Sequence, residues 1–343
     1  MREPLKRFFY YCCKYCGLFI LSRLLMKKKL RILCYHGFSL QDEELFVPGL
    51  FIRLAEFERR LEYLKQHNYQ VITLDQAYCD YKQQSFPDDA VVLTIDDGFY
   101  SVYKLAAPLL HQYNYPATLY LTSYYFDRLE PIFTLTVDYM FWKTQCKQVS
   151  LDELHIVSLP TEKVPLTDDN KLKLREQLKQ HGQSLPDAEC RELLLQRLGE
   201  CLNVDYGQLK SSRILGLINQ QELKQLIALG VDIQLHTHRH ELPVDSELAR
   251  DALVRNKQKV NPLLATPMVH FCYPSGDWKP AHWPILQQQQ VLTATTCTPR
   301  LVDYDTPHYS LDRILDSSRV SQIEFEAEVC GFNQLIRQLR GQG

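Results

Sequence analysis

The chain has 343 residues, 45% of them hydrophobic and 23% charged, enough to bury a sizeable core and too apolar for a disordered or fibrous protein. A formal net charge of −2 gives no electrostatic reason to expect nucleic acid as a partner. Eleven cysteines at irregular spacing suggest no disulfide framework and favour a reducing compartment.

Residues 1–29 read as a segment of their own. Nine Lys or Arg stand against one acid, Glu3, in the first 31 residues, with Phe8, Phe9, Tyr15, Leu21, Leu24 and Leu25 among them. Lys14 and Arg23 interrupt the apolar stretch, so an ordinary transmembrane span is not expected. No small-residue cleavage site follows, so neither is a removable signal. Two readings stay open. One is an aromatic, basic helix making peripheral contact with an anionic inner membrane leaflet from the cytoplasm. The other is a helix packed on the domain, with Lys27 to Lys29 as a solvated run. Cys12, Cys13 and Cys16 read as small apolar fillers rather than a metal or acylation site.

From residue 30 to 343 short apolar runs alternate with helical periodicity. The runs are Arg31 to Tyr35, Val71 to Leu74, Val91 to Ile95, Ala117 to Leu121, Val231 to Leu235, Met268 to Tyr273 and Val291 to Thr295. Runs of this kind predict strands buried on both faces of a parallel sheet. Helices are predicted at Leu54 to His67, Tyr103 to Tyr113, Gln220 to Leu229 and Ser246 to Leu263. The pattern implies an α/β fold, barrel-like or doubly wound. Residues 126–219 break the rhythm with two polar helical patterns starting near Asp168 and Asp187. They are expected to form an inserted helical region, plausible as a wall beside the barrel mouth.

The polar tips carry the chemistry. His36, Asp96-Asp97, the segment His236-Thr237-His238-Arg239-His240 and Pro274-Ser275-Gly276 each follow a predicted strand. The carboxyl ends of parallel strands are where α/β active sites assemble. Adjacent carboxylates line one site only where the chain turns, which Gly98 permits; otherwise Asp96-Asp97 would cap a helix. His236, His238 and His240 share a face in an extended chain, and only His236 and His240 do in a helical turn. Two imidazoles and a remote carboxylate suit a catalytic divalent metal with an open position for water.

In this order, DDG, H-T-x-x-H and FCYPSG resemble the polysaccharide deacetylase family (carbohydrate esterase family 4, the NodB-homology domain). The likeness runs from about Ile32 to Ile323 and includes Tyr35-His36-Gly37-Phe38. It implies a distorted (β/α)7-type barrel. It also implies a metal held by Asp97, His236 and His240, with Asp96 as general base. Zinc is the first choice for these N/O ligands. The family's usual motif arginine is replaced by Cys272. Arg313, in Leu311-Asp312-Arg313-Ile314, is expected to supply the guanidinium, since this segment resembles the LPRI of a subgroup carrying FAYPYG. The usual C-terminal histidine acid is missing; His36 is its expected substitute, with His282 and His308 as weaker ones. Ser275 stands where an aromatic is common, and His238 is not a ligand in the family. The Tyr273 backbone N–H, with Pro274 beside it, is expected to face the oxyanion and substrate.

The expected reaction is removal of N-acetyl groups from amino sugars of a polysaccharide or lipid-linked glycan precursor. Its competitors are a deformylase or amidase acting on another compound, and a catalytically silent carbohydrate-binding protein.

Overall fold

The computed structural model describes residues 3–128 and 130–341. Two helices come first, α1 (Glu3–Tyr15) and α2 (Leu18–Met26). The central sheet then begins with β1 (Arg31–Tyr35), followed by α3 (Leu54–Gln66), β2 (Gln70–Val71) and α4 (Leu74–Gln83). After these come β3 (Ala90–Asp97), a wide turn at Val102–Ala106 running into α5 (Ala107–Tyr113), and β4 (Ala117–Leu121).

Residues Asp127–Asn219 form a separate compact unit. It contains α6 (Phe133–Lys143), α7 (Asp168–Ser184), α8 (Ala188–Leu202) and α9 (Tyr206–Ser212), with a short antiparallel pair, Gln148–Val149 and Val164–Pro165. Thr167 caps α7, accepting from the Asn170 N–H, and Asp187 caps α8 through the Cys190 N–H. A Cβ on Gly182 would lie 2.1 Å from the Phe133 ring, so α6 and α7 meet at van der Waals contact there.

The first unit resumes with α10 (Gln220–Ala228), β5 (Val231–Leu235), α11 (Ser246–Val260) and β6 (His270–Cys272). It ends with α12 (Trp283–Gln288), β7 (Thr293–Thr295), β8 (Ile314–Leu315), α13 (Gln322–Val329) and α14 (Phe332–Leu339).

All strands of the central sheet pair in parallel, in the order β7-β6-β5-β4-β3-β1-β8, with β2 beside β3. This is the expected distorted barrel, seven strands in one curled path. β1 is buried at every position and β3 up to Asp96, as a sheet covered on both faces requires. The predicted run Val71 to Leu74 shortens because the Thr73 hydroxyl accepts from the Gln76 N–H and starts α4.

The barrel's two edges meet through one segment. Leu311 bridges Thr295 in parallel, and the Leu311 N–H donates to Ala294 O at 2.8 Å. Three residues later Ile314 is in register with Leu33 of β1. Residues 311–315 thus leave one edge strand and join the other, carrying Arg313 into the interior.

The N-terminal helices pack on this unit. Tyr10 and Cys13 of α1 and Phe19 of α2 share an apolar cluster with Ile323, Ala327, Cys330 and Phe332 of the last two helices. The basic run is not simply solvated. Lys6 pairs with Glu324 at 2.7 Å, Lys14 with Glu326 at 2.5 Å, Lys28 with Asp88 at 2.7 Å and Lys29 with Asp303 at 2.7 Å. All eleven cysteines are free thiols.

Candidate active site

Four strand ends converge. β3 delivers Asp96 and Asp97, β1 delivers His36, β5 delivers His236, and β6 leads into Tyr273. Alternation along β3 sends Thr94 and Asp96 to the same side. Asp97 would point away, but its backbone is left-handed, φ 71°. That turn, which an Asp tolerates better than most residues, swings the second carboxylate back to the first. The turn anticipated at Gly98 therefore starts one residue earlier.

The histidine segment turns in the same manner. Thr237 has φ 63° and His240 φ 59°, so the chain coils immediately beyond β5. A β-branched residue in this region is strained, and such strain collects where function over-determines the backbone. Coiling places the His236 and His240 rings 4.9 Å apart. Asp97 Oδ1 lies 3.4 Å from Nε2 of each. His238 turns the other way: its Nδ1 is 2.9 Å from the Ser123 hydroxyl and its ring stands edge-on to Tyr124.

This trio fits a metal. The His236 Nδ1–H donates to Cys272 O at 2.9 Å, leaving Nε2 as a bare lone pair. That Nε2 is buried and has no hydrogen-bond partner. Ligand atoms about 3.4 Å apart form the edge of a tetrahedron whose bonds are about 2.1 Å, the zinc–nitrogen and zinc–oxygen length. Asn256 of α11 fixes the strand end, accepting from the His236 N–H at 3.1 Å and donating to Leu121 O at 3.0 Å. Two other triads, Cys34-His36-Asp96 and Asp96-His236-Cys272, also bring ligand atoms together. Both depend on Asp96, whose oxygens are already engaged by a cation of the protein itself.

That cation is Arg313. Its Nη1 donates to Asp96 Oδ1 and its Nη2 to Oδ2, each at 2.7 Å. Nη1 also reaches the Thr94 hydroxyl at 3.1 Å, and Nε donates to Thr296 O at 2.8 Å. Burial is the largest single influence and would raise the Asp96 carboxyl; the Arg313 guanidinium, joined by His236 and His36, more than offsets it and holds the group well below the usual carboxylate range. Around the pair stand thiols. Cys272 Sγ is 3.4 Å and Cys34 Sγ 3.7 Å from Asp96 Oδ2. Burial pushes both thiols up, so they remain protonated, weak donors to that oxygen. His36 Nε2 lies 3.7 Å from Asp96 Oδ2.

One expectation fails. The Tyr273 N–H does not face the site: it donates to Thr295 O at 3.1 Å, extending the ladder between β6 and β7. The Tyr273 hydroxyl is likewise engaged, donating to Tyr309 O at 2.9 Å. Pro274, buried, opens the turn Pro274–Gly276 and has no N–H to offer. The weaker acid candidates stay outside the cluster. His282 accepts from the Lys279 N–H at 3.1 Å and contacts Pro243 O at 3.2 Å. His308 lines a small apolar cavity with Leu30, Leu74 and Tyr81. Cys34, Thr94 and Asn256 were not anticipated; a buried Asn inside a predicted amphipathic helix was the one signal available.

The family profile for polysaccharide deacetylase matches residues 203–294, which hold β5, the histidine segment and β6. YxkH of Bacillus subtilis, described as a polysaccharide deacetylase, is 34% identical over 94 residues, 27% of this chain and 32% of that protein. The poly-beta-1,6-N-acetyl-D-glucosamine N-deacetylase of Staphylococcus aureus is 31% identical over 77 residues, 22% of this chain and 27% of that protein. Each match therefore spans about a third or less of the curated relative's length. Among solved structures, the Streptococcus pyogenes deacetylase PplD in complex with acetate superposes with TM-score 0.56 at 15% identity, covering 89% of this chain and 97% of that one. IcaB from Ammonifex degensii gives 0.54 at 18% identity, covering 88% and 97%. These two likenesses are of fold. The likeness in sequence is carried by residues 203–294, which match the polysaccharide deacetylase profile.

Proposed function

We propose that this chain is a metal-dependent hydrolase removing N-acetyl groups from amino sugars of a polysaccharide or a lipid-linked glycan precursor, at the cytoplasmic face of a membrane. One observation carries the reading: Asp97 Oδ1 sits 3.4 Å from both imidazole Nε2 atoms, beside a second carboxylate locked by Arg313. A divalent ion on Asp97, His236 and His240, zinc by the character of the donors, would polarise the acyl oxygen and acidify a water.

The chain's own groups do the rest. Asp96, ionised and oriented by Arg313, takes a proton from the attacking water as its oxygen bonds to the acyl carbon. His36 gives a proton to the amine nitrogen as the C–N bond breaks, leaving acetate and a free amino sugar. Cys34 and Cys272 steady one Asp96 oxygen without offering a nucleophile, because their thiols are buried and protonated. Arg313 also answers the argument for a silent binding protein, since the guanidinium missing from the usual motif is supplied from another strand. The name of the staphylococcal relative supports an N-acetylglucosamine polymer as the first substrate to try.

The test is metal analysis of the purified protein together with acetate release from N-acetylglucosamine oligomers. Stoichiometric metal and acetate formation are expected, both lost on chelation. Metal binding without release from any amino-sugar glycan would reject the deacetylase reading.

A further inference from the structure

The two N-terminal helices have an inner and an outer side. Tyr10 and Cys13 face the domain from α1, and Phe19, Ser22 and Met26 from α2, at helical spacing. The outer side is mostly apolar. Phe8 is 65% exposed, Tyr15 84%, Ile20 68%, Leu24 62% and Leu25 61%, and Leu21 lies among them. A contiguous apolar surface over two successive helices is unusual for a protein meant to face water there.

Most of the charges of the segment turn away from this face. Between Pro4 and Lys28 there are six basic residues and no acid. Lys6, Lys14 and Arg23 turn back to carboxylates of the domain, Glu324, Glu326 and Asp89. Exposed Arg7 stands in the first turns of α1, and Lys27 and Lys28 follow α2, sharing the half-exposed Asp88. No single helix among the described residues is long and apolar enough to cross a membrane, and the two are bent 76° apart. Their inner faces are held on the domain by the cluster around Phe332.

We infer that the outer face of α1 and α2 is a monotopic membrane-docking surface, its apolar side chains entering the hydrocarbon boundary of a bilayer and Arg7, Lys27 and Lys28 meeting anionic headgroups. A second copy would bring the same surplus of bases against the single acid Glu3, so charge favours lipid over self-association. Because most bases here are paired internally, apolar insertion supplies most of the affinity. That differs from a simple electrostatic attachment to an anionic leaflet. The inference stands apart from the chemistry at Asp96 and Asp97.

The full chain, incubated with sedimentable vesicles of phosphatidylcholine alone or with about 30% phosphatidylglycerol, tests it. Wild type should pellet with both, more with the anionic ones, and lose less than about threefold of its binding at about 0.5 M salt. The triple variant Leu21→Ser/Leu24→Ser/Leu25→Ser should bind at least about tenfold more weakly to both while keeping the wild-type circular dichroism. Should that variant misfold, Tyr15→Trp provides a second reading: its emission should shift to the blue with phosphatidylcholine, and an unmoved spectrum would overturn the proposal. So would wild-type protein that stays in the supernatant. Binding confined to anionic vesicles and abolished by salt would replace insertion with electrostatic attachment. A dimer that the triple variant dissolves, without vesicle binding, would assign the face to a second copy.

Discussion

Arg313 and Asp96 meet fork to fork inside the barrel, two N–H···O bonds of 2.7 Å joining side chains that come from opposite ends of the sequence. Geometry of this kind fixes the plane of the carboxylate as well as its charge. It leaves the Asp96 oxygens one orientation relative to His36.

Arg313→Lys should therefore damage turnover more than folding. An ammonium keeps the charge but loses the fork, so kcat is expected to fall about 100-fold. The pH profile should move as well. In the native site burial raises the Asp96 carboxyl, and Arg313 with His236 and His36 together lower it further than burial raises it, so the base form persists into acid. With the guanidinium gone, burial acts less opposed, and the acidic limb of kcat should shift upward. Acetate release followed across pH checks this; an unmoved limb would remove Arg313 from its positioning role.

His240 and His238 make a natural pair of controls. His240→Ala should lower bound metal at least about tenfold and abolish acetate release, since one of three ligands is lost. His238→Ala should keep stoichiometric metal, because its ring bonds Ser123 and faces Tyr124. Elemental analysis after dialysis separates the two, and equal metal in both variants would refute the ligand set.

His36→Gln retains a polar side chain without an acid. Turnover is expected to fall about 100-fold or more with metal content unchanged. A near-native kcat would send the search for the proton donor elsewhere, His282 and His308 being poorly placed for it.

Gly37, next to His36, has no room for a side chain. An added Cβ would lie 2.2 Å from the Phe51 ring. Gly37→Ala should cost about 1–3 kcal/mol through overpacking and lower the thermal midpoint by a few degrees. An unchanged midpoint would mean the Phe51 ring can swing aside freely.

Much of the site was legible because it is local. Asp96-Asp97 follow the largely apolar run Val91 to Ile95 and His236 follows the alternating Val231-Asp232-Ile233-Gln234-Leu235, and a strand end is where a parallel sheet exposes polar groups. Arg313 could be proposed from its short motif, but its reach to Asp96 depends on a closure between segments more than two hundred residues apart. The Tyr273 N–H was misjudged for a related reason. Whether a strand-end amide is free depends on the neighbour's register, and Thr295 claims it. The partners of Lys6 and Lys14, Glu324 and Glu326, lie at the other terminus, so the N-terminal charge looked more available than it is.

The segment 311–315 separates the two halves of the site. Asp97, His236 and His240 come together without it, whereas Asp96 owes its guanidinium to the seam in which Leu311 lies on Thr295 and Ile314 on Leu33. If the proposed metal site and reaction hold, a molecule nicked ahead of that seam is expected to keep metal while releasing no acetate, so metal content alone would be a poor assay of intact protein.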